Sequence, residues 1–341
     1  MAQPVNRQWL LTSRPRGLLK ESDFTWNESQ IPEPAEGQAL VRNIYLSLDP
    51  TNRGWASDRT TYMPPVELGT PMRGFAIGIV EKSHHPDFQE GQLLEGFFGW
   101  QDFCLTDGNH VTPVHLDPEL PLSAHFGLFA HIGLTAYFGL LEIGEPKPGE
   151  TLVVSGAAGA VGSLVGQIGK IKGCHVVGIA GTDEKCHWLT EELGFDGAIN
   201  YKAEKVQPRL KELCPDGIDV IFENVGGPIL DASLSLMNLH ARVALCGLIS
   251  MYNAEKMVPG PFGFPYVLVR RAKIQGFIIG DYMHRAAEAI PEITHWYKEG
   301  KLKYRLDIVD GLEEAPKVVN RLFDGSHKGK LLVQVSDEPG A

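Results

Sequence analysis

The chain is poor in cysteine and scatters what it has. Its five cysteines, Cys104, Cys174, Cys186, Cys214 and Cys246, form no CxxC pair and have no HxxxH nearby. That spacing supports neither a disulfide framework nor a zinc knuckle, and isolated cysteines of this kind read as small buried hydrophobes. Positive charge is also in short supply. Lys and Arg number 31 against 42 Asp and Glu, for a net charge of −11. Such a balance disfavours nucleic acid and anionic membrane surfaces as partners, so an anionic ligand must be held by a local group of donors. The N-terminal MAQPVNRQWLLTSRP has no apolar h-region. No signal peptide is therefore expected, and a cytoplasmic location is the default. Between Leu122 and Leu141 there is no Asp, Glu, Lys or Arg at all. The length fits a membrane span. Yet His125, His131, Ser123, Thr135 and three glycines dilute the run, and no basic cluster follows it. Lipid would leave those polar groups unpaired, so a buried helix or helix pair is expected, with no membrane partner.

What the sequence does contain is ordinary for a globular protein: 341 residues, 43% hydrophobic and 21% charged, enough for two domains. Up to about residue 120 the chain is rich in Pro, Gly and short apolar runs. ALVRNIYLSLD (39–49), FAIGIVEKS (75–83) and QLLEGFFGWQDFCLT (92–106) read as strands of an all-β, partly barrel-like module, with no helix-period segment of any length. From about 125 strands and helices alternate. TLVVSG precedes a helix from Val161 to Lys172, and HVVGIA a helix from about Asp183 to Leu193. GAIN precedes a helix near 204–213, and IDVIFENV one near 229–237, followed by ARVALCG. Apolar strands between helices of this length indicate a parallel sheet covered on both faces, an α/β fold. From about 285 there follow an amphipathic helix, the polar strand KYRLDIV, another helix and a last strand KGKLLVQVS, a tail that can return to the first module.

The segment Thr151 to Ser163 carries the strongest chemical signal. Ala157-Ala158-Gly159-Ala160-Val161-Gly162 is a GxGxxG turn with Ala at its first position, after a buried strand and before a helix. Gly159 lets the backbone approach a pyrophosphate, and Gly162 lets the helix pack close to the strand. The helix N-terminus adds free N–H groups and the positive end of its dipole. The second strand ends at Ala180 and Gly181, where NAD-binding chains tend to carry an acid for the ribose 2′-hydroxyl. With that acid missing, and with Lys185 and Tyr201 nearby as donors to a 2′-phosphate, the expected cofactor is NADP(H). Asp183 and Glu184 read as first-turn helix residues.

These stretches resemble the zinc-independent medium-chain dehydrogenases/reductases, in the group of prostaglandin reductases, 2-alkenal reductases and bacterial curcumin reductases. The likeness runs nearly the whole length. It is carried by YLSLDPTNRG (45–54), TYMPP (61–65), ETLVVSGAAGAVGSLVGQIGKIKGCHVVGIAG (150–181), EKC (184–186), LGFDGAINYK (193–202), GIDVIFENVGG (217–227), RVALCGLISMYN (242–253), QGFII (275–279) and KGK (328–330). The resemblance implies a Rossmann NADP-binding domain over 125–296. It also implies a discontinuous, mostly β GroES-like catalytic domain made of 1–124 and a return segment 297–341, and a homodimer, with 274–279 as the dimer edge. It implies NADPH-dependent reduction of the C=C bond of α,β-unsaturated ketones or aldehydes. By position, Gly159, Ala160, Val161, Gly162, Gly181, Lys185, Tyr201, Asn224, Cys246, Gly247, Leu248, Ile249, Ser250, Tyr252, Phe277, Ile278 and Ile279 would line the cofactor. Tyr252 and Tyr62 would lie near the substrate carbonyl.

Several residues depart from the family pattern. Zinc-holding alcohol dehydrogenases of the wider superfamily carry Cys and His ligands in the first module. Here those segments read Leu46-Ser47-Leu48-Asp49-Pro50 and Gly74-Phe75-Ala76, so no metal is expected. Without a Lewis acid, other donors must stabilise charge on the substrate oxygen. A tyrosine hydroxyl, Tyr252 being the candidate, the 2′-hydroxyl of the nicotinamide ribose, or both, are expected to hydrogen-bond that oxygen, and Tyr252 or water to supply the α-proton. A Tyr-Met pair after LDP is replaced by Thr51-Asn52, Met-Pro-Gly by His131-Ile132-Gly133, and an Asn near the C-terminus by His327. Thr51, His131 and Tyr62 are therefore the substrate-binding candidates, in a pocket expected to be polar on one side. His125 and His175 read as satisfied structural residues. An NADPH quinone reductase and a non-catalytic NADPH-binding sensor or structural protein remain open alternatives.

Overall fold

The computed structural model describes residues 5–59, 61–114, 117 and 119–339; Met1 to Pro4, at the start of the stretch read as leaderless, lie outside the described residues. In chain order the strands are β1 Val5–Leu11, β2 Phe24–Gln30, β3 Ala39–Ser47, β4 Ala76–Ser83, β5 Leu93–Gly96, β6 Phe103–Thr106 and β7 Val111–Pro113. They continue with β8 Thr151–Ser155, β9 His175–Ala180, β10 Gly197–Asn200, β11 Ile218–Glu223, β12 Met237–Leu245, β13 Lys273–Gly276, β14 Leu306–Asp310 and β15 Lys330–Gln334. The chain divides into two compact units. One comprises 1–123, 306–327 and 331–341, and the other 124–305 and 328–330.

The first unit is mostly β. A seven-stranded sheet runs β14-β15-β3-β4-β5-β7 with β6 also on β3, beside a two-stranded β1-β2 hairpin. Its core gathers Trp9, Phe24, Leu46, Met72, Trp100 and Val333. Burying aromatic rings of this size dominates such a core, and the Trp9 indole N–H is satisfied by the Leu312 carbonyl at 2.9 Å. The long run 92–106 is two strands, not one. Gly99 has φ +78°, and its N–H donates to the Gly74 carbonyl, so the chain turns between Gly96 and Phe103. A short helix, Thr51–Trp55, also stands in this unit. It falls below the length at which helical periodicity can be read from sequence.

The second unit holds a six-stranded sheet in the order β10-β9-β8-β11-β12-β13, with every neighbouring pair parallel. β8 is buried at all five positions. A strand covered on both faces needs apolar side chains in both directions, hence its unbroken TLVV. The helix Ala160–Ile171 lies on this sheet through a glycine stripe. A Cβ at Gly166 would sit 1.8 Å from the Phe195 ring, and one at Gly169 would sit 2.5 Å from Leu152. Their spacing of three places both on one helix face.

Three element boundaries differ from the sequence reading. The helix read near 229–237 spans Gly227–Ser235, with Pro228 in its first turn, because Gly226 and Gly227 take positive φ and turn the chain into it earlier. β12 accordingly begins at Met237. The helix from Asp183 widens into a π-turn at Trp188–Glu192. The run Leu122–Gly144 is long and apolar enough to cross a membrane by composition, and 78% of that window is buried inside the fold. It is broken into the helices Leu122–Leu128 and His131–Phe138 and a π-turn at Gly139–Gly144.

Candidate functional site

Strand order reverses between β8 and β11: β9 and β10 follow on one side, β12 and β13 on the other. In an open parallel sheet the crevice at the carboxyl ends of such a pair is the ligand-binding position. Three loops meet there. The first is the glycine turn after β8. Gly156 takes φ +59°, the Gly159 N–H donates to the Gly156 carbonyl at 3.0 Å, and Gly159 precedes the helix with φ −79°. Among the described residues no side chain caps that helix, and the N–H groups of a helix start suit an anionic ligand. A Cβ at Gly162 would meet the Gly156 oxygen at 2.5 Å, which is the close helix–strand packing read from the motif.

The second loop follows β11 and is bolted to the first by a buried carboxyl group. Glu223 is fully buried. Its Oε1 accepts from Ser155 Oγ at 2.7 Å and from the N–H groups of Val225 and Gly226 at 2.6 and 2.7 Å. Asn224 completes the joint: its N–H donates to Ser155 Oγ at 2.8 Å and its Nδ2 to the Ser155 carbonyl at 2.7 Å. Burial pushes the Glu223 carboxyl above its ordinary range, against the opposing pull of the donors from Gly226, Ser155 and Val225. The third loop, after β12, folds over the second. The N–H groups of Cys246 and Gly247 both donate to the Glu223 carbonyl, those of Ile249 and Ser250 to the carbonyls of Asn224 and Val225, and Ser250 Oγ to Val225 as well. Burial raises the Cys246 thiol to about 12, so it is neutral and inert as a nucleophile.

Tyr252 closes this third loop. Its hydroxyl lies beside Gly247 and accepts a long 3.4 Å contact from the Leu248 N–H. Burial is the main cause that lifts its pKa, so the phenol keeps its proton near neutrality. A weakly engaged, protonated, desolvated hydroxyl is a ready donor. At the end of β9 the Tyr201 ring covers Gly181, where an added Cβ would lie 3.1 Å from it. Thr182 Oγ1 caps the next helix by accepting from the Lys185 N–H at 3.2 Å. The two acids of that helix are turned to partners: Asp183 accepts from Asn200 at 2.7 Å, and Glu184 pairs with Lys328 at 2.6 Å. Gly329, next to Lys328, bridges Gly159 of the phosphate turn.

The sequence-derived residues thus fall into several groups. Gly159 to Gly162, Asn224 and Cys246 to Tyr252 are brought together at the switch point, and Gly181, Lys185 and Tyr201 cluster at the end of β9. Phe277 differs. Its side chain packs inward against Phe222 at 6.2 Å between centroids and fills the space beside Gly139, so only its backbone is available to a ligand. Ile278 is partly exposed, and Ile279 opens a 3₁₀ turn. In the first unit Thr51 begins the short helix, and Tyr62 is half exposed in the loop before Pro64. Asn52 is buried and spent on backbone: its Oδ1 accepts from the Asp49 N–H and its Nδ2 donates to the Arg73 carbonyl. That position therefore adds no polarity to a pocket, contrary to the expectation for the Thr51-Asn52 pair. His131 begins the helix His131–Phe138 in the second unit, with its ring edge-on to Phe126. His125 is buried, and His175 bonds the Leu213 carbonyl at 2.8 Å. Sequence reasoning missed Ser155 and Glu223. The signal was there in IDVIFE, a carboxylate ending a strand that is otherwise apolar at its inward positions.

A parallel sheet in this order, with a glycine turn and interlocked loops at its switch point, defines a dinucleotide-dependent oxidoreductase fold. Comparison with known proteins places it more closely. Residues 7–114 match the family described as the N-terminal domain of oxidoreductase, and residues 160–295 the family described as zinc-binding dehydrogenase. The NADPH-dependent curcumin reductase of Escherichia coli (strain K12) is 46% identical over 338 residues, spanning 98% of each chain. The NADP(+)-dependent 2-alkenal reductase of Nicotiana tabacum is 40% identical, spanning 99% of this chain and all of the relative. Among solved structures, CurA of Vibrio vulnificus in complex with NADPH is 44% identical with a TM-score of 0.91, covering 97% of this chain and 100% of that one. The chain belongs to the medium-chain dehydrogenase/reductase family, among relatives that include curcumin, 2-alkenal and pulegone reductases.

Proposed function

We propose that the chain is an NADP-dependent oxidoreductase that reduces the C=C bond of α,β-unsaturated ketones and aldehydes. The observation that carries the cofactor half is the end of β9. Gly181 lies under the Tyr201 ring with no acid at that position, and the acids that follow it are turned to Asn200 and Lys328. A 2′-phosphate meets no repelling carboxylate there, and Lys185 is near to hold it. The glycine turn suits the pyrophosphate: with no Cβ at Gly159 the backbone there can be approached closely. The reaction half is supported by the relatives, named for NADPH-dependent curcumin reduction, NADP-dependent 2-alkenal reduction and pulegone reduction.

When bound, NADPH supplies a hydride for the β-carbon of the substrate. The residues of this chain supply position and charge. Tyr252 presents its proton to the substrate carbonyl oxygen, where negative charge gathers as the double bond is reduced; one preorganised donor of this kind is worth about 3 kcal/mol. The same hydroxyl, or water, returns a proton to the α-carbon. Glu223 and Ser155 hold the loops after β8 and β11 in register without touching the reacting atoms. Thr51, Tyr62 and His131 are proposed to border the substrate.

A homodimer in the cytoplasm completes the proposal. β13 is an edge strand, and Met257, Phe262, Phe264, Leu268 and Val269 in the segment before it are exposed, Met257 at 94% and Leu268 at 83%. An unpaired strand edge beside apolar surface of this extent suits a second copy of the chain. Light scattering that returned a monomer mass would remove that part. The activity is tested by following NADPH oxidation with small enals, cyclic enones, aryl enones and quinones. Turnover of enals and enones is expected. Turnover of quinones alone would overturn the substrate assignment, and no turnover at all would favour a binding-only protein.

A further inference from the structure

A cavity of about 280 Å³ lies within the first unit, lined on one side by Met63, Phe97, Phe98 and Val111 and reached by the side chain of Arg73. Arg73 is built into place. The buried Asn52 amide donates to its carbonyl at 3.1 Å. The indole of Trp55, from the helix Thr51–Trp55, lies under its guanidinium at 5.6 Å. Phe97 meets that indole edge-on at 5.7 Å. Among the described residues one of the guanidinium's five N–H donors is engaged, by the Pro64 carbonyl at 2.9 Å from Nη1. Among the described residues no carboxylate pairs with it, and burial lowers its pKa from the ordinary arginine value. Asp107, the one acid in the lining, has its carboxylate oxygens on the Asn109 N–H and side-chain amide, and does not figure in the electrostatics of Arg73.

A partly desolvated cation with open donors in a fixed fork is costly to hold unless an anion completes it. The fork matches a carboxylate in a two-bond arrangement. The wall on the Met63, Phe97 and Val111 side is apolar and suits a flat hydrophobic body, while Thr106, Asn109 and His110 line the other side. We propose that this cavity binds an organic carboxylate with a flat hydrophobic body, its carboxylate on Arg73 and its body against Phe97 and Met63. The carboxylate can belong to the substrate, which would make the preferred enones acidic ones, or to a separate acid. The first version rests on the proposed enone reduction; the binding site itself does not.

The test uses the full chain and two probes. Titration calorimetry with cinnamate and with methyl cinnamate reads the site. Cinnamate is expected to bind at least tenfold tighter than its ester. Arg73→Met is expected to remove that preference at unchanged melting temperature, and Arg73→Lys to restore only part of it. Equal binding of acid and ester, or cinnamate binding that survives Arg73→Met, would overturn the proposal. Should Arg73→Met melt early, nuclear magnetic resonance of the wild-type chain decides instead: cinnamate must broaden or shift the Trp55 indole signal, and an unmoved signal counts against the site. The source of the carboxylate is read from kcat/KM for 4-(4-carboxyphenyl)but-3-en-2-one against its methyl ester. An acid preference lost in Arg73→Met, mainly through KM, assigns it to the substrate. Equal turnover of acid and ester beside tight cinnamate binding assigns it to a separate acid. No turnover of either enone would count against the enone reading while leaving the calorimetric result to decide the site.

Discussion

Gly162 and Gly159 lie three residues apart in one turn and are expected to fail in different ways when given a methyl group. At Gly162 the added carbon would stand 2.5 Å from the Gly156 oxygen and 2.9 Å from the Ala157 Cα. Both are backbone atoms of the turn, so the turn or the helix Ala160–Ile171 must move. Overpacking of this kind costs about 1–3 kcal/mol, and the better helix propensity of Ala offsets up to about 1 kcal/mol of it. Gly162→Ala should therefore lose about 1–2 kcal/mol, a fall in Tm of roughly 2–8 °C for a domain of this size. NADPH affinity should fall too, because the displaced turn no longer presents its N–H groups; losing one charge-assisted bond of about 1.5–3 kcal/mol is roughly tenfold to a hundredfold in Kd. At Gly159 the nearest atom to an added Cβ is the Gly156 oxygen at 3.2 Å, and φ is −79°, which alanine adopts without strain. Gly159→Ala should keep Tm within about 1 °C, since the change is worth only a few tenths of a kcal/mol, and still lose NADPH affinity at least tenfold. Thermal scans with and without NADPH, together with fluorescence titration, separate the two. An unchanged Tm in Gly162→Ala would refute the close-packing argument. Wild-type NADPH affinity in Gly159→Ala would show that the pyrophosphate lies elsewhere.

Three further outcomes follow from the same geometry. Because burial raises the Glu223 carboxyl, the folded state binds more protons than the unfolded one above the ordinary carboxylate range, so stability falls as pH rises through the raised pKa; Glu223→Gln keeps the Oε1 acceptor and should flatten that decline, whereas parallel Tm profiles from about pH 5 to about pH 8 would contradict it. Lys185→Glu should weaken NADPH about a hundredfold and leave NADH little changed, since it places a carboxylate at the 2′-phosphate position; equal loss for both cofactors, measured by titration, would move the phosphate away from Lys185. Tyr252→Phe should lower kcat on a good enone about a hundredfold with little change in NADPH affinity, and full kcat in that variant would end the donor role.

The second unit was legible in the sequence where the physics is local or strongly periodic. TLVVS had to be covered on both faces, and GxGxxG between a strand and a helix has one structural context. The empty acid position at Ala180–Gly181 was equally plain, and in the structure the Tyr201 ring lies over it. What escaped depends on contacts distant in sequence. Ser155 and Glu223 are 68 residues apart, and nothing in either segment alone announces that one carboxyl joins two loops. The Gly227 start of a helix was read late because glycines signal a loop until their φ values are known. The Thr51-Asn52 pair suggested a pocket polar on one side, yet the Asn52 amide spans the Asp49 N–H and the Arg73 carbonyl, 21 residues further along the chain. Arg73 itself was passed over, since a lone arginine after PM reads as a solvated surface residue until the Trp55 ring beneath it is seen.

The central claim is that the reduced atom is the β-carbon of an activated alkene. Its most direct measurement is to run the full chain with deuterium-labelled NADPH and an aryl enone, and to locate the label in the product by nuclear magnetic resonance. A saturated ketone carrying deuterium on the β-carbon is the predicted product. An allylic alcohol with deuterium on the former carbonyl carbon would contradict the account.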